Sequence, residues 1–549
     1  MIIRLRKTQR RCLLQIMAKS KQKPLSFSTT MRNPERIAEF LNCVLPYEKQ
    51  ILTNEIIMKI IGNIIKSKLY KTNYENAVYK EQFKDDEYQF TEEQIKEIII
   101  NSPQDHKEMG FDKGWPSRFD TFYKLSKEFG YMYYEIGQPI EITQVGHMLI
   151  DALNESPCND QKIKDIFLNS MMKYQVDNPF RKNANSNVPL ILLLQVIKLL
   201  KEDPEENGAG IFRKEISLFI CWPNNDAKQL YNLIKQIRKN HKFGYSDEFM
   251  YDICLRLLNT TNRRYVKMSK VCGETIDEYI RKMRITGVVS LRGNGRFLDY
   301  NTLEQNKIDY VLENYSTYPT FTNPKEYTEY MGQIDSNILS IKNDITIDLD
   351  TLKQNTLKKY AQNYDKKDIY EELKLVCKRR ESKDPVFRFI SAPARLEFLT
   401  SIALIQQFDN LLVKPNYPID DEGLPTSTAG GDMADIMCYE EEYNSAVEVT
   451  LMCGRSDQVN NEIIPIRRHL KQIKETNHKA FSILVAPIIH EDTIQAAMIY
   501  KIREKLDILT YDINEFIVAI SRLERFSNIL TKQYNYSLNV AEDYENYNG

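Results

Sequence analysis

Apolar residues recur at helical spacing over 51–69 (ILTNEIIMKIIGNIIKSKL) and again over 92–100 (EEQIKEIII), so the chain opens with helices. The segment 117–128 (SRFDTFYKLSKE) has the pattern of a capped amphipathic helix stopping near Gly130. A strand-like run over 131–136, a Gly137-Gln138-Pro139 turn and a second run over 140–143 follow. Helix then hairpin is the shape of a winged helix. A second unit of this pattern has helices over 188–200, 226–239 and 269–283, then apolar-alternating runs over 288–292 and 296–300 around Gly293-Asn294-Gly295, a strong hairpin signal. No sequence period relates the two units, so the similarity is one of pattern only.

From 303 to 375 the chain is rich in Asn, Tyr, Lys and Asp, with helices expected near 334–341 and 349–370, and reads as a helical linker. The last third has the clearest order. Helices are expected over 394–412, 457–476, 492–505 and 513–530, and strands over 435–438, 446–452, 480–486 and 507–511. The order αββαβαβα implies a mixed sheet flanked by helices, and 534–549 reads as an acidic polar tail. The expected architecture is a multidomain α+β chain. Its first subdomain is 25–155, its second 156–302 (both winged-helix-like), its helical linker 303–375 and its C-terminal α/β domain 376–549.

Composition narrows this. The 549 residues balance 75 Lys and Arg against 76 Asp and Glu, with 42% apolar residues and little Gly or Pro, which suits packed cores and excludes a uniformly basic coat protein. The nine cysteines form no C-x-x-C pair and have no His at zinc-ligand spacing, so buried thiols in a reducing cytoplasm are expected. The most apolar stretch, near 190–200, is interrupted by Gln195 and Lys198, and no membrane span is expected. The first 36 residues carry ten Lys or Arg and the single acid Glu35, and three readings stay open: a DNA-contacting arm, an organellar presequence, or leader ahead of a later start at Met17 or Met31. Residues 263–296 hold nine bases against three acids, so the neutral total hides a basic patch suited to a DNA-binding helix and wing, or to a solvated helix face.

The segment GGDMADIMCYEEEYNSAVEVTLM carries the candidate chemistry. Asp435 opens one expected strand and Glu448 lies in the next, thirteen residues on, inside the apolar run AVEVTLM where an acid is costly without a partner or a metal. Two converging carboxylates and the Val449 carbonyl would give Mg²⁺ hard oxygen ligands, and leave room for water and a phosphate oxygen. Gly430-Gly431, just before Asp432, would permit close backbone approach. The D…E-x-x spacing is the loose signature of PD-(D/E)XK nucleases, but it has Thr450 where a water-activating Lys usually stands. The general base is therefore open between Glu462, a neutral His469 and a substrate phosphate oxygen.

Taken in order, TTMRNPERI, VVSLRGNGRFLDYN, FRFISAPARLEFLTSIAL, GGDMADIMCYEEEYNSAVEVTL, NNEIIPIRRHL and FSILVAPIIHEDT resemble the AlwI family of type IIS restriction endonucleases, over about residues 25 to 530. The resemblance implies winged-helix-like recognition of a short asymmetric duplex DNA site, a connector, and a C-terminal PD-(D/E)XK domain cutting at a fixed offset with Mg²⁺; some relatives cut one strand as monomers. It also implies metal ligation by Asp435, Glu448 and the Val449 carbonyl, a water-holding role for Glu397, and Glu462 and His469 lining the site. Bland alternatives exist: Glu397 as an ion-pair partner of Arg395, Glu462 as a helix N-terminal acid, and His469 and His490 as packing or helix-end residues. Arg32, Arg36, Arg281, Lys282, Arg284, Arg292 and Arg296 are the DNA-contact candidates. Transient pairing of cleavage domains or a second subunit, a cognate DNA methyltransferase and a bacterial cytoplasmic setting complete the expectation. A strand-specific nickase and a winged-helix regulator with an inactive nuclease domain stand as alternatives.

Overall fold

The computed structural model describes residues 22–27, 36–84, 88–155, 159–181, 185–206, 208, 210–343, 347–431 and 433–531. Arg32, Asp432, most of the basic first 36 residues and the acidic tail lie outside them. Two compact units emerge: one formed by Met1–Tyr74 with Phe90–Ile345, the other by Glu75–Gln89 with Thr346–Gly549.

In the first unit the helix Asn54–Lys66 starts where the Thr53 hydroxyl accepts the Ile56 amide at 3.2 Å, and it buries Ile57, Ile60, Ile61, Ile64 and Ile65 along one stripe. Thr91 and Gln94 form a capping box at the head of Glu92–Ile100. After the helix Trp115–Glu128 come β1 (Met132–Tyr133) and β2 (Glu141–Ile142), an antiparallel pair much shorter than the expected hairpin. The intervening backbone is spent elsewhere: the Gly137 amide donates to the Leu52 carbonyl at 2.9 Å, and the Ile140 amide to the Gln50 carbonyl at 2.9 Å.

The later hairpin is regular. The helix Thr275–Arg284 leads to β4 (Val289–Arg292) and β5 (Phe297–Tyr300), and all three turn residues Gly293, Asn294 and Gly295 take positive φ (60°, 56° and 77°). A strand not foreseen, β3 (Ile211–Phe212), pairs with the other side of β5, making a three-stranded antiparallel sheet in the order β3-β5-β4.

The expected linker is divided between the two units at Ile345 and Thr346. Its first part forms Gln305–Asn314, Pro324–Met331 and Ser336–Ser340 and is packed into the first unit. The Tyr327 hydroxyl donates to the Glu128 carbonyl at 3.1 Å, Lys307 pairs with buried Asp165 at 2.7 Å, and Lys173 donates to the Gln333 carbonyl at 2.7 Å. Its second part, Leu349–Asn363 and Lys366–Cys377, buries Leu357, Tyr360, Ile369, Leu373 and Val376 in the core of the second unit. Apolar faces on both parts explain why neither stands free.

The second unit is a five-stranded mixed sheet between two helical layers. Its strands are β6 (Leu412–Pro415), β7 (Ile436–Tyr439), β8 (Asn444–Val449), β9 (Phe481–Ala486) and β10 (Ile508–Asp512), in the order β10-β9-β8-β7-β6. The pairs β10/β9 and β9/β8 are parallel, and β8/β7 and β7/β6 antiparallel. One face packs on Leu349–Cys377, Ala392–Gln407 and Ile513–Ser521, the other on Ile464–Thr476 and Glu491–Glu504. β6 begins at Leu412, where the sequence pattern extends a helix over 394–412. The helix stops at Gln407, Asp409-Asn410 make the turn, and Pro415 is tolerated because β6 is an edge strand. The closing helix, expected to reach 530, ends at Ser521.

The seven cysteines among the described residues are free thiols, five of them buried. Among the described residues no helix is long and apolar enough to cross a membrane. The docking of the former linker has a direct test at Gly130, whose φ is +75° and whose added Cβ would lie 2.2 Å from Met331 Cβ and 2.7 Å from its carbonyl carbon. Gly130→Ala should cost upwards of about 3 kcal/mol, whereas Gly137→Ala, with φ +82° and open space around it, should cost only about 1 to 2 kcal/mol. Urea unfolding of both variants measures the difference.

Candidate active site

The centre of the site is a reciprocal contact between neighbouring strands. Ile436 of β7 pairs with Val447 of β8, which sets Asp435 opposite Glu448 at the strand ends. The Asp435 amide donates to Glu448 Oε2 at 3.0 Å, and the Val449 amide donates to Asp435 Oδ2 at 2.8 Å. Glu448 is 5% exposed and Asp435 half-buried, so each carboxylate exchanges water for a backbone amide on the other strand.

The helical layers bring two more carboxylates. Glu397, buried on Ala392–Gln407, accepts the Ala429 amide at 3.1 Å, which places it against the segment leading into Asp435. Glu462 comes from the opposite layer, on a π-helical turn, Gln458–Ile463, that precedes Ile464–Thr476. Such turns displace a side chain from the regular helical position and concentrate at functional sites. Burial, countered by a hydrogen bond from the Thr450 hydroxyl and reinforced by the charge of Glu448, pushes the Glu462 carboxyl up to about 7. Asp435 is raised well above the usual carboxylate range by burial first and then by the charges of Glu397 and Glu448, against the pull of the Val449 amide.

His469 lies on the same helical segment as Glu462; it reaches Glu448 of β8, and Glu462 reaches Thr450 just beyond the strand. The His469 Nδ1 is 2.9 Å from Glu448 Oε1, and the Gly431 carbonyl also faces the ring. The bond to Glu448 raises the imidazole above its ordinary value, against the opposing pull of burial. The Thr450 hydroxyl is occupied, accepting the Met452 amide at 3.0 Å and bonding Glu462.

Lys353 was not foreseen. It lies on Leu349–Asn363, in the stretch read as linker, and its Nζ donates to the Pro415 carbonyl at 2.9 Å, over the Tyr417 ring at 5.3 Å. Asn416, between those two residues, donates its amide to the Asp435 carbonyl at 2.9 Å, and the ammonium feels the charge of Glu397. No spacing signal links a lysine to a strand end more than eighty residues away. His490 does not join the cluster; its Nε2 contacts the Cys453 carbonyl at 2.8 Å.

Among the described residues no group of three or more His, Cys, Asp or Glu side chains is placed to hold a metal ion. An open pair suits Mg²⁺ better, since that ion takes one or two carboxylates and completes its shell with water and phosphate oxygens. A cation between Asp435, Glu448 and the Val449 carbonyl would meet only oxygen donors, and the crowding that raises Asp435 is what a divalent cation would relieve.

The DNA-contact candidates disperse. Lys282 is a correction: it is fully buried, with its ammonium on Glu278 at 3.3 Å and over the Phe27 ring at 5.6 Å, so it is not presented at the surface. Arg281 and Arg284 are half-buried in the last helical turn, each with a partner. Arg292 binds buried Asp299 at 2.9 Å and the Tyr300 carbonyl at 3.0 Å, Arg296 is exposed with Nε on the Gly293 carbonyl at 3.1 Å, and Arg36 donates to the Leu69 carbonyl at 2.8 Å. Arg32 lies outside the described residues.

Carboxylate crowding generates a stability prediction. In chelator, Asp435→Asn should raise stability by about 1 kcal/mol, because it removes one of several repelling charges while keeping an acceptor for the Val449 amide. Denaturant unfolding with and without Mg²⁺ measures this, and a loss of stability would show that crowding is not the governing term.

No curated protein matches the chain. Solved structures similar to it include the small subunit (R.BspD6I2) of the heterodimeric restriction endonuclease R.BspD6I, at 21% identity and TM-score 0.25 over 31% of this chain and 88% of that one. The restriction endonuclease FokI is similar at 9% identity and TM-score 0.23 over 94% and 97% of the two chains, and FokI bound to DNA at 11% and 0.22 over 93% and 95%. The model of the AlwI restriction endonuclease family matches residues 127–356 and 334–519, together well over half of the chain. The chain belongs to the AlwI restriction endonuclease family.

Proposed function

We propose that this restriction endonuclease is of type IIS, binding a short asymmetric duplex site through winged-helix-like elements of the first unit and cutting outside it with a Mg²⁺-dependent PD-(D/E)XK domain in the second. The observation that carries the reading is the Asp435–Glu448 cross-strand pair, flanked by Glu397 and Glu462, in a chain of this family. Asp435, Glu448 and the Val449 carbonyl would hold the cation, which supplies Lewis-acid activation of water and neutralises charge on the phosphate.

The chain's own residues do the rest. Glu462, with its carboxyl near 7, is poised to accept a proton from the attacking water, since a base works best when its pKa lies near the working pH. His469 holds Glu448 in place through its ring nitrogen, and Glu397 would orient water beside Asp435. Placing recognition and hydrolysis on separate compact units is what a cut outside the bound sequence requires. Pairing of two cleavage units or a second subunit, a cognate DNA methyltransferase that protects the host site, and a bacterial cytoplasmic setting belong to the same reading. A second reading is strand-specific nicking, favoured by one such carboxylate centre among the described residues, because one centre addresses one strand at a time.

Supercoiled plasmid incubated with the protein separates the readings. Linear fragments that require Mg²⁺ support double-strand cleavage, open circles support nicking, and tight binding without cleavage under all metals supports a regulator with an inactive nuclease domain. Asp435→Ala and Glu448→Ala should each slow cleavage at least about 100-fold, the scale of removing a group that organises charge at a reacting centre, with DNA affinity in chelator unchanged. Wild-type rates in either variant would sink the site assignment.

A further inference from the structure

The basic surplus of residues 263–296 is largely consumed within the fold. Lys282 is buried, and Arg281, Arg284 and Arg292 have protein partners. What remains lies ahead of the helix, in the loop that joins Asp247–Leu257 to the π-helical turn Lys270–Glu274. From Asn259 to Cys272 this stretch contains Arg263, Arg264, Lys267 and Lys270 and no acid. Arg263 is paired with Asp252 at 2.6 Å and lies over the Tyr251 ring at 5.1 Å. Arg264, Lys267 and Lys270 are exposed and have no ion-pair partner among the described residues, and Tyr265 between them is 63% exposed.

The loop backbone is nevertheless held in place. Asn262 Oδ1 accepts the amides of Arg264 and Tyr265 at 3.1 and 3.0 Å, an Asx turn, and the Thr260 hydroxyl accepts the Asn262 amide at 3.2 Å. Val266 is buried as an anchor at 2% exposure, and its carbonyl accepts the hydroxyl of buried Tyr251. The Lys267 carbonyl accepts the amides of Lys270 and Val271, each at 3.1 Å, closing the turn into the helix. Three uncompensated cations and an aromatic hydroxyl are therefore displayed on a framework that loses little further freedom on binding.

We propose that this loop is a phosphate-contacting surface for duplex DNA, with Arg264, Lys267 and Lys270 neutralising backbone phosphates and Tyr265 bonding to sugar or phosphate. It positions the duplex and does not read its sequence, because point-like cations and a single hydroxyl carry no base code. The inference rests on the reading of the chain as a DNA-cleaving enzyme, and it assigns part of the affinity to residues outside the expected helix and wing.

The test is binding of a fluorescent mixed-sequence 40-base-pair duplex to the full chain in chelator, titrated across a range of salt. Removing one cation from a phosphate should reduce the slope of log affinity against log salt by about 0.9, so R264Q, K267Q and K270Q should each lower it by about 1 and the triple variant by about 2 to 3. Y265A should weaken binding at every salt concentration, and Y265F less so. Melting curves check that the variants fold, and should a triple variant melt early the single ones decide. A wild-type slope retained by the variants overturns the proposal and means that the loop faces another partner, such as an acidic protein. A wild-type chain with no salt-dependent duplex binding overturns instead the underlying reading of the chain as a DNA enzyme.

Discussion

The register between β7 and β8 governs the second unit, because the same pairing that aligns Ile436 with Val447 brings Asp435 across from Glu448 and aims the Val449 amide at the Asp435 carboxylate. A slip of one residue would turn the buried side chains of β7 and β8 away from the core and separate the two acids. Core packing and site assembly are thus one constraint. Ile436, Cys438, Val447 and Val449 are buried on one face of the sheet, and that burial fixes the strand alignment on which the carboxylate pair depends.

Around this pair the protein accepts an electrostatic cost. Four carboxylates from three layers interact, and Asp435 and Glu462 are both raised by burial and by their neighbours. The compensation is local: backbone amides on Asp435, Glu448 and Glu397, the imidazole of His469 on Glu448, and the ammonium of Lys353 held at the end of β6. The cores on both faces of the sheet stabilise an arrangement that the site itself disfavours, a common balance between stability and activity.

Charge elsewhere follows a different logic. Buried acids such as Asp299, Glu278 and Asp165 draw in Arg292 with Lys201, Lys282, and Lys307, so many basic residues of the first unit serve the fold. Burying either member of such a pair alone would be costly, and the pairing leaves fewer cations at the surface than a count along the chain implies. Apolar faces decide the fate of the segment between the units in the same way, drawing its two parts into separate cores.

By itself the sequence determined the long amphipathic helices, the Asn-Gly hairpin, the βαβα order of the last third and the placing of Asp435 and Glu448 at the ends of two successive strands, because periodicity, turn residues and an acid inside an apolar strand are local signals. Family motifs in order supplied Glu397, Glu462 and His469, which no spacing rule would have joined to the strands. Only the tertiary structure decided the rest. It made β6 an edge strand after the Asp409-Asn410 turn, cut the first hairpin short because its backbone bonds with residues 50–52, placed Lys353 beside the site from a supposed linker, put acceptors on both sides of His469 and buried Lys282. Each of these depends on a partner distant in the chain, and burial, pairing and protonation are properties of a side chain's surroundings, which a linear pattern does not contain.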